Sequence, residues 1–89
     1  MPRKVNLQAL KRVFDVGSGE WPWEEECKRL LNRDRTKQLI EAIRAEGIRE
    51  PILLGNDGRV WDGHHRITAA TLLGIHEVPV EFSGEAPDV

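Results

Sequence analysis

The residues of this chain whose types and spacing best suit chemistry are Asp62-Gly63-His64-His65-Arg66. All of them except the glycine carry side chains able to bind an anion, hold a cation or move a proton. The glycine lets the backbone approach a ligand closely. The pentapeptide follows a short apolar strand, Arg59-Val60-Trp61-Asp62, and precedes a helical run, Ile67-Thr68-Ala69-Ala70-Thr71-Leu72-Leu73. Its two histidines and its arginine therefore fall at a helix N-terminus, where free N–H groups and the helix dipole favour negative charge. The pattern points to a phosphate or nucleotide site and leaves the reaction open.

Each position also has a plainer reading. Gly63 either joins strand to helix or brings the backbone to a phosphate. Arg66 either pairs with a surface carboxylate or grips phosphate oxygens with its planar fork. The adjacent side chains of His64 and His65 diverge in a turn, so one donates to the anion and the other anchors the loop, in an order the residues do not decide. Asp62 is a helix cap or a functional carboxylate. Thr68, in the first helical turn, is a hydroxyl contact or an exposed helix position. Arg33 and Arg35 precede another helix start and read as surface arginines or as distant phosphate partners.

Trp21-Pro22-Trp23 is the other unusual feature. Two tryptophans around a proline staple a short helix to a core, or, if exposed, anchor a partner or stack on a base. His64, His65, His76, Cys27 and Asp62 make no helical pair four residues apart and no Cys-x-x-Cys pair, so no zinc site is expected. Magnesium accompanying a nucleotide is the metal chemistry that fits better.

The elements that must position these residues read as an α/β (α+β) pattern. Val5-Asn6-Leu7 is a short strand or strand-to-helix lead-in, with Leu10, Val13 and Phe14 apolar behind it. Gly17-Ser18-Gly19 is a flexible break. Pro22 opens a helix to Leu31, with Glu24, Glu25 and Glu26 early and Lys28 and Arg29 late, an order that complements the helix dipole. Asp34 or Thr36 caps the next helix, which carries Leu39, Ile40 and Ile43 at helical spacing and stops at Gly47. Pro51 opens a strand, Ile52-Leu53-Leu54, and Asn56-Asp57-Gly58 turns it into a hairpin with Val60-Trp61. A helix from Arg66 ends at Gly74. Val78-Pro79-Val80-Glu81-Phe82 closes the fold, placed at a sheet edge by its proline. Residues 83–89 form a polar tail.

Composition bounds the whole. With 89 residues, 39% hydrophobic and 31% charged, the chain reads as one small globular domain. The single cysteine, Cys27, has no internal disulfide partner. No apolar run approaches the roughly 18–20 residues that span a bilayer and no secretory pattern opens the chain, so no membrane partner and a cytoplasmic location are expected. The net charge of −2 argues mildly against broad nonspecific binding to DNA. It divides into +3 over residues 1–49 and −5 over residues 50–89, which either orients a partner or is an ordinary solvated surface.

From Thr36 to Phe82 the chain resembles the ParB/sulfiredoxin superfamily. The similar stretches are Leu39-Ile40-Glu41-Ala42-Ile43-Arg44-Ala45-Glu46-Gly47-Ile48, Glu50-Pro51-Ile52-Leu53-Leu54 and Asp62-Gly63-His64-His65-Arg66, completed by Ala69-Ala70, Leu73-Gly74 and Val78-Pro79-Val80. The resemblance implies a small domain with a mixed sheet packed against helices, a recognisable core over 36–82, a variable insert over 17–35 and the tail 83–89. In ParB partition proteins the corresponding turn reads Gly-Glu-Arg-Arg and binds the triphosphate of CTP. In sulfiredoxin it reads Gly-Cys-His-Arg, and its cysteine works with ATP. The spelling here is that of free-serine kinases and of many phage ParB-like proteins. His64 stands at the position of the sulfiredoxin cysteine, which argues against that reaction. No helix-turn-helix follows, which argues against a ParB clamp.

The resemblance implies a nucleotide, CTP or ATP with Mg²⁺, bound by Gly63, His64, His65, Arg66 and Thr68, with NTPase or kinase-like phosphoryl transfer. It makes Asp62 a catalytic base or Mg²⁺ ligand, and it places a further catalytic carboxylate within Glu24-Glu25-Glu26 without choosing one. Two alternatives stand beside it: a DNA-binding or nuclease protein of the ParB-like type, and a non-enzymatic module, for instance of phage origin, that docks on a protein through Trp21 and Trp23.

Overall fold

The computed structural model describes residues 3–17, 21–55 and 57–82. Ser18 and Gly19 of the expected break, Asn56 of the expected turn and the tail 83–89 lie outside the described residues.

β1 (Arg3–Asn6) runs directly into α1 (Leu7–Val13). Asn6 makes that transition abrupt, because its side chain accepts the Ala9 N–H at 3.0 Å and caps the helix. α2 (Trp23–Leu31) starts behind Pro22, with its acidic residues in the first turn and its basic ones in the last. It buries Trp23, Glu26 and Leu30, spaced by three and four residues along one face. α3 (Asp34–Glu46) buries Thr36, Ile40 and Ile43 on the same rule and stops at Gly47. Neither expected cap holds: Arg33 occupies the cap position without a side-chain bond, Asp34 lies inside the first turn, and Thr36 faces the interior. The apolar stripe sets the helix rotation, and that rotation carries Thr36 inward.

β2 (Ile52–Leu54) and β3 (Val60–Asp62) form the expected antiparallel hairpin. α4 (His64–Leu73) then crosses back, and β4 (Glu77–Phe82) pairs parallel to β2 and antiparallel to β1. The sheet order is β1-β4-β2-β3, a mixed sheet in an α+β fold. β4 is therefore interior, not at an edge as Pro79 suggested. The proline removes one ladder donor, a loss of about 1 kcal/mol. Val78 and Val80 on either side are buried, and each contributes roughly 1.5–3 kcal/mol by leaving water. Burial outweighs the missing bond.

The core lies between sheet and helices, where Leu7, Leu10, Val16, Trp23, Ile52, Leu54, Val60, Ile67, Ala70, Val78 and Val80 pack together. A smaller group, Ile40, Ile43 and Ala69, joins α3 to α4. α4 buries four consecutive residues, Ile67 to Ala70, because it is covered by α2, α3 and β2 at once. Two of the four are alanines, which lets its neighbours come close. Among the described residues no helix is long and apolar enough to cross a membrane.

Ala69→Leu is therefore expected to destabilise the domain by about 1–3 kcal/mol through overpacking against Ile40 and Ile43. Urea unfolding measures this, and an unchanged midpoint would mean that α3 does not lie on α4 as described.

Candidate functional site

α4 begins at the end of an edge strand, and the residue between them must reverse the chain. Gly63 does so at φ 116°, a left-handed conformation that side-chain-bearing residues rarely adopt. A Cβ there would also lie 3.1 Å from Arg66 Nη1 and from Ile52 Cγ1. The backbone angle calls for glycine, and a side chain there would also crowd Arg66 and Ile52. Having no side chain, it leaves the first-turn N–H groups of α4 without a side-chain cap.

Two connected grooves open at this turn. One, of about 120 Å³, is lined by Arg35, Leu39 and residues 62 to 66. The other, of about 290 Å³, shares Arg35, Leu39 and Arg66 with it and continues past Ala42, Ile43, Ile48 and Glu50. The first is polar and basic, and the second is mostly apolar on its α3 side.

The two histidines diverge, and the structure separates their surroundings. His64 turns toward the loop after α1: its Nε2 accepts the Gly17 N–H at 2.9 Å, and its ring lies against Trp23 with centroids 5.5 Å apart. His65 turns toward α3, with Nδ1 2.6 Å from Thr36 Oγ1. Burial lowers the pKa of His64 below 6.5, against the opposing pull of Glu26 and Asp62. Burial also lowers that of His65, helped by Arg35, His64 and Arg33 and opposed by Glu26. Both rings are neutral at pH 7, so the fixed positive charge at the turn comes from arginine.

Arg66 is held within the protein. Its Nη1 donates to the Pro51 carbonyl at 3.1 Å, its Nη2 donates to Glu50 Oε2 at 3.1 Å, and Asp62 Oδ2 lies 3.7 Å away. Its side chain is 13% exposed. Arg35, which read as a surface arginine or a distant phosphate partner, lines both grooves, whereas Arg33 acts on His65 without lining either. Asp62 is exposed on the rim.

Thr68 is a correction to the expected ligand set. It is buried, its hydroxyl donates to the His64 carbonyl at 2.9 Å, and its Oγ1 lies 3.6 Å from Cys27 Sγ, on the side of α4 that faces α2. A further correction concerns the tryptophans. Trp23 is buried and donates to the Phe14 carbonyl at 2.7 Å, while Trp21 is half-buried, bonded to Glu26 and covered by Arg29 4.4 Å above its ring. They staple α2 to the core and offer no exposed aromatic anchor.

Residues that sequence reasoning passed over, or left unchosen, complete the site. Thr36 is one. Glu26 is another, singled out from its triplet as the buried one, with Oε1 accepting from Trp21 Nε1 at 2.9 Å and Arg29 Nη1 at 2.8 Å. Both sit on the apolar stripe of their helix, a signal visible in the spacing. Trp61 is the third: half exposed, it packs over Gly55 and lines a cleft with Glu26, Arg59 and His64 on the far side of the turn.

No family model matches the chain. It is 32% identical over 59 residues to the chromosome-partitioning protein ParB of Myxococcus xanthus (strain DK1622), covering 63% of this chain and 20% of that protein. It is 35% identical over 52 residues to the ParB-like nuclease domain-containing protein YnaK of Escherichia coli (strain K12), covering 58% of this chain and 60% of that protein. A Pnob8-like ParB-N domain superposes with a TM-score of 0.62 at 16% identity, covering 92% of this chain and 29% of that one. Sulfiredoxin from Arabidopsis thaliana superposes with a TM-score of 0.62 at 21% identity, covering 96% and 86%. In sequence the chain is similar to ParB-like proteins, and its fold is that of ParB-N domains and sulfiredoxin. The chain spans a fifth of its ParB relative and three fifths of the Escherichia coli one. What this chain shares of either protein's work therefore has to be argued from its own turn.

The neutral histidines fix a pH dependence. Their lowered folded pKa means that the unfolded chain takes up more protons once the pH falls below about 6.5, so stability is full above that value and declines beneath it. The thermal midpoint is expected to fall between about pH 7.5 and 5.5, where carboxylates stay ionised, and less so in His64→Gln. A flat profile in the parent chain would contradict neutral, partly buried rings.

Proposed function

We propose that this ParB-like protein binds a nucleotide, CTP or ATP, with its phosphate chain on the N-terminal turn of α4 and its nucleoside in the adjoining groove between α3 and residues 47–50. One observation carries the reading: an uncapped helix N-terminus, entered through an obligatory glycine, opens into a groove that continues along apolar residues. Arg35 supplies exposed positive charge on the groove wall and His65 a neutral donor. Arg66 holds the turn against Pro51 and Glu50 and shares the groove.

Magnesium fits this rim. Asp62 and Glu50 are both exposed and both approach the same guanidinium, so two carboxylates stand beside the phosphate groove. Hard oxygen ligands of this kind, one or two with phosphate oxygens completing the shell, suit Mg²⁺. Among the described residues no group of three or more His, Cys, Asp or Glu side chains converges as a ready-made metal cage. Bound there, the metal would neutralise phosphate charge, and Asp62 would orient a water or substrate hydroxyl for NTPase or kinase-like transfer.

A second reading rests on the similarity to a ParB-like nuclease domain-containing protein. It takes the exposed basic residues at the start of α3, Arg33, Arg35 and Lys37, as contacts for a DNA backbone. A salt-dependent gel shift or metal-dependent nicking of plasmid would favour it over the nucleotide reading.

Thermal denaturation with a nucleotide panel and Mg²⁺ separates the two. A ligand at about a hundred times its Kd stabilises by about 2.7 kcal/mol. That is a rise on the order of 10 °C in a domain of this size. The rise is expected with CTP or ATP and should shrink in Arg35→Ala. No shift with any nucleotide at millimolar concentration would overturn the proposal.

A further inference from the structure

Thr36 is fully buried, and its hydroxyl has a proton to place. Threonines in helices commonly donate to the carbonyl four residues back. Thr68 and Thr71 do so in α4, at 2.9 and 2.8 Å. Thr36 does not: among the described residues its side chain has one hydrogen-bond partner, His65 Nδ1 at 2.6 Å. Leaving a buried hydroxyl proton without an acceptor costs about 1–3 kcal/mol. The proton therefore goes to Nδ1, which must be bare to receive it, and a neutral imidazole with a bare Nδ1 carries its own proton on Nε2.

We infer that Thr36 is a positioning residue: its buried hydroxyl locks His65 in the Nε2–H tautomer and presents that N–H as a neutral donor to the anion on the N-terminal turn of α4. The anion half rests on the phosphate reading of the turn, and the tautomer half stands without it. His64 is anchored through the opposite nitrogen, since its Nε2 accepts from Gly17. The two neighbouring rings are thus pinned from α3 and from the loop after α1, and among the described residues each has one nitrogen left over. The titratable and charged groups around His65 are Arg33 and Arg35 at the start of α3, His64 on α4 and Glu26 on α2, and the first three oppose its protonation. The assignment therefore holds at neutral pH.

The test uses the full chain and two substitutions. Thr36→Val keeps the shape and removes the proton, and Thr36→Ser restores it. Long-range ¹H–¹⁵N spectra of the imidazoles read the tautomer directly. The parent chain and Thr36→Ser are expected to show His65 as a single Nε2–H form, and Thr36→Val a mixture of both tautomers. Binding of inorganic tripolyphosphate is expected to weaken about three- to tenfold in Thr36→Val and to recover in Thr36→Ser. A parent ring carrying its proton on Nδ1, or a Thr36→Val ring still locked as Nε2–H, would overturn the inference. If the tautomers behave as expected but tripolyphosphate binds none of the three proteins, the lock stands and the phosphate reading of the turn falls. If tripolyphosphate binds all three equally, the lock stands and its role in holding the anion is overturned.

Discussion

The burial of α4 governs the rest of the structure. Ile67, Thr68, Ala69 and Ala70 are covered at once by the sheet, α2 and α3, so this helix has almost no freedom to rotate or slide. Its register is fixed by Ala69 against Ile40 and Ile43, and by Ile67 and Ala70 in the main core. With the helix immobilised, the N-terminal turn has one direction in which to emerge. Gly63, at φ 116° and pressed on Ile52, is the only residue type that lets β3 reach that turn. A rigid helix with uncapped N–H groups at its open end is pre-organised for an anion, because no ordering remains to offset on binding.

Electrostatics follow from the same packing. The turn's two histidines are drawn in opposite directions, His64 to Gly17 and His65 to Thr36, and burial keeps both uncharged. Arg66 would be the strongest anion ligand, yet Pro51, Glu50 and Asp62 already engage it. The same contacts make it a brace between β2's entry and the turn, worth more to geometry than to charge. Arg35, exposed on the first turn of α3 and without an ion pair among the described residues, is left as the cation lining the groove. The site thus combines neutral imidazoles with the exposed Arg35 and the braced Arg66, beside two exposed carboxylates.

Much of this was legible in the sequence. Helix stops at Gly47 and Gly74, the Pro51-led strand and its antiparallel pairing with β3 follow from local punctuation, and local rules read them correctly. The pentapeptide was legible because chemical side chains crowd around a glycine between a strand and a helix. The misreadings arose where a local rule met a tertiary one. Pro79 signals an edge by its missing donor, but the burial of Val78 and Val80 sets the strand order. Thr36 and Thr68 look like a cap and a ligand by residue type, but the apolar stripes of their helices carry both inward. The engagement of Arg66 by Glu50, sixteen residues earlier, leaves no trace in spacing. The stripes of α2 and α3 did hold the missing information: a polar residue among Trp23 and Leu30, or among Ile40 and Ile43, is one the fold has placed inside for a reason.

A backbone ¹H–¹⁵N titration with a magnesium nucleotide bears most directly on where the phosphate lies. If the phosphate chain rests on α4, the largest shifts fall on the amides of His64, His65 and Arg66, with a second group at Leu39 and residues 47–50 where the nucleoside sits. Shifts confined to α1 and β1, or no shifts at saturating nucleotide, would contradict that placement.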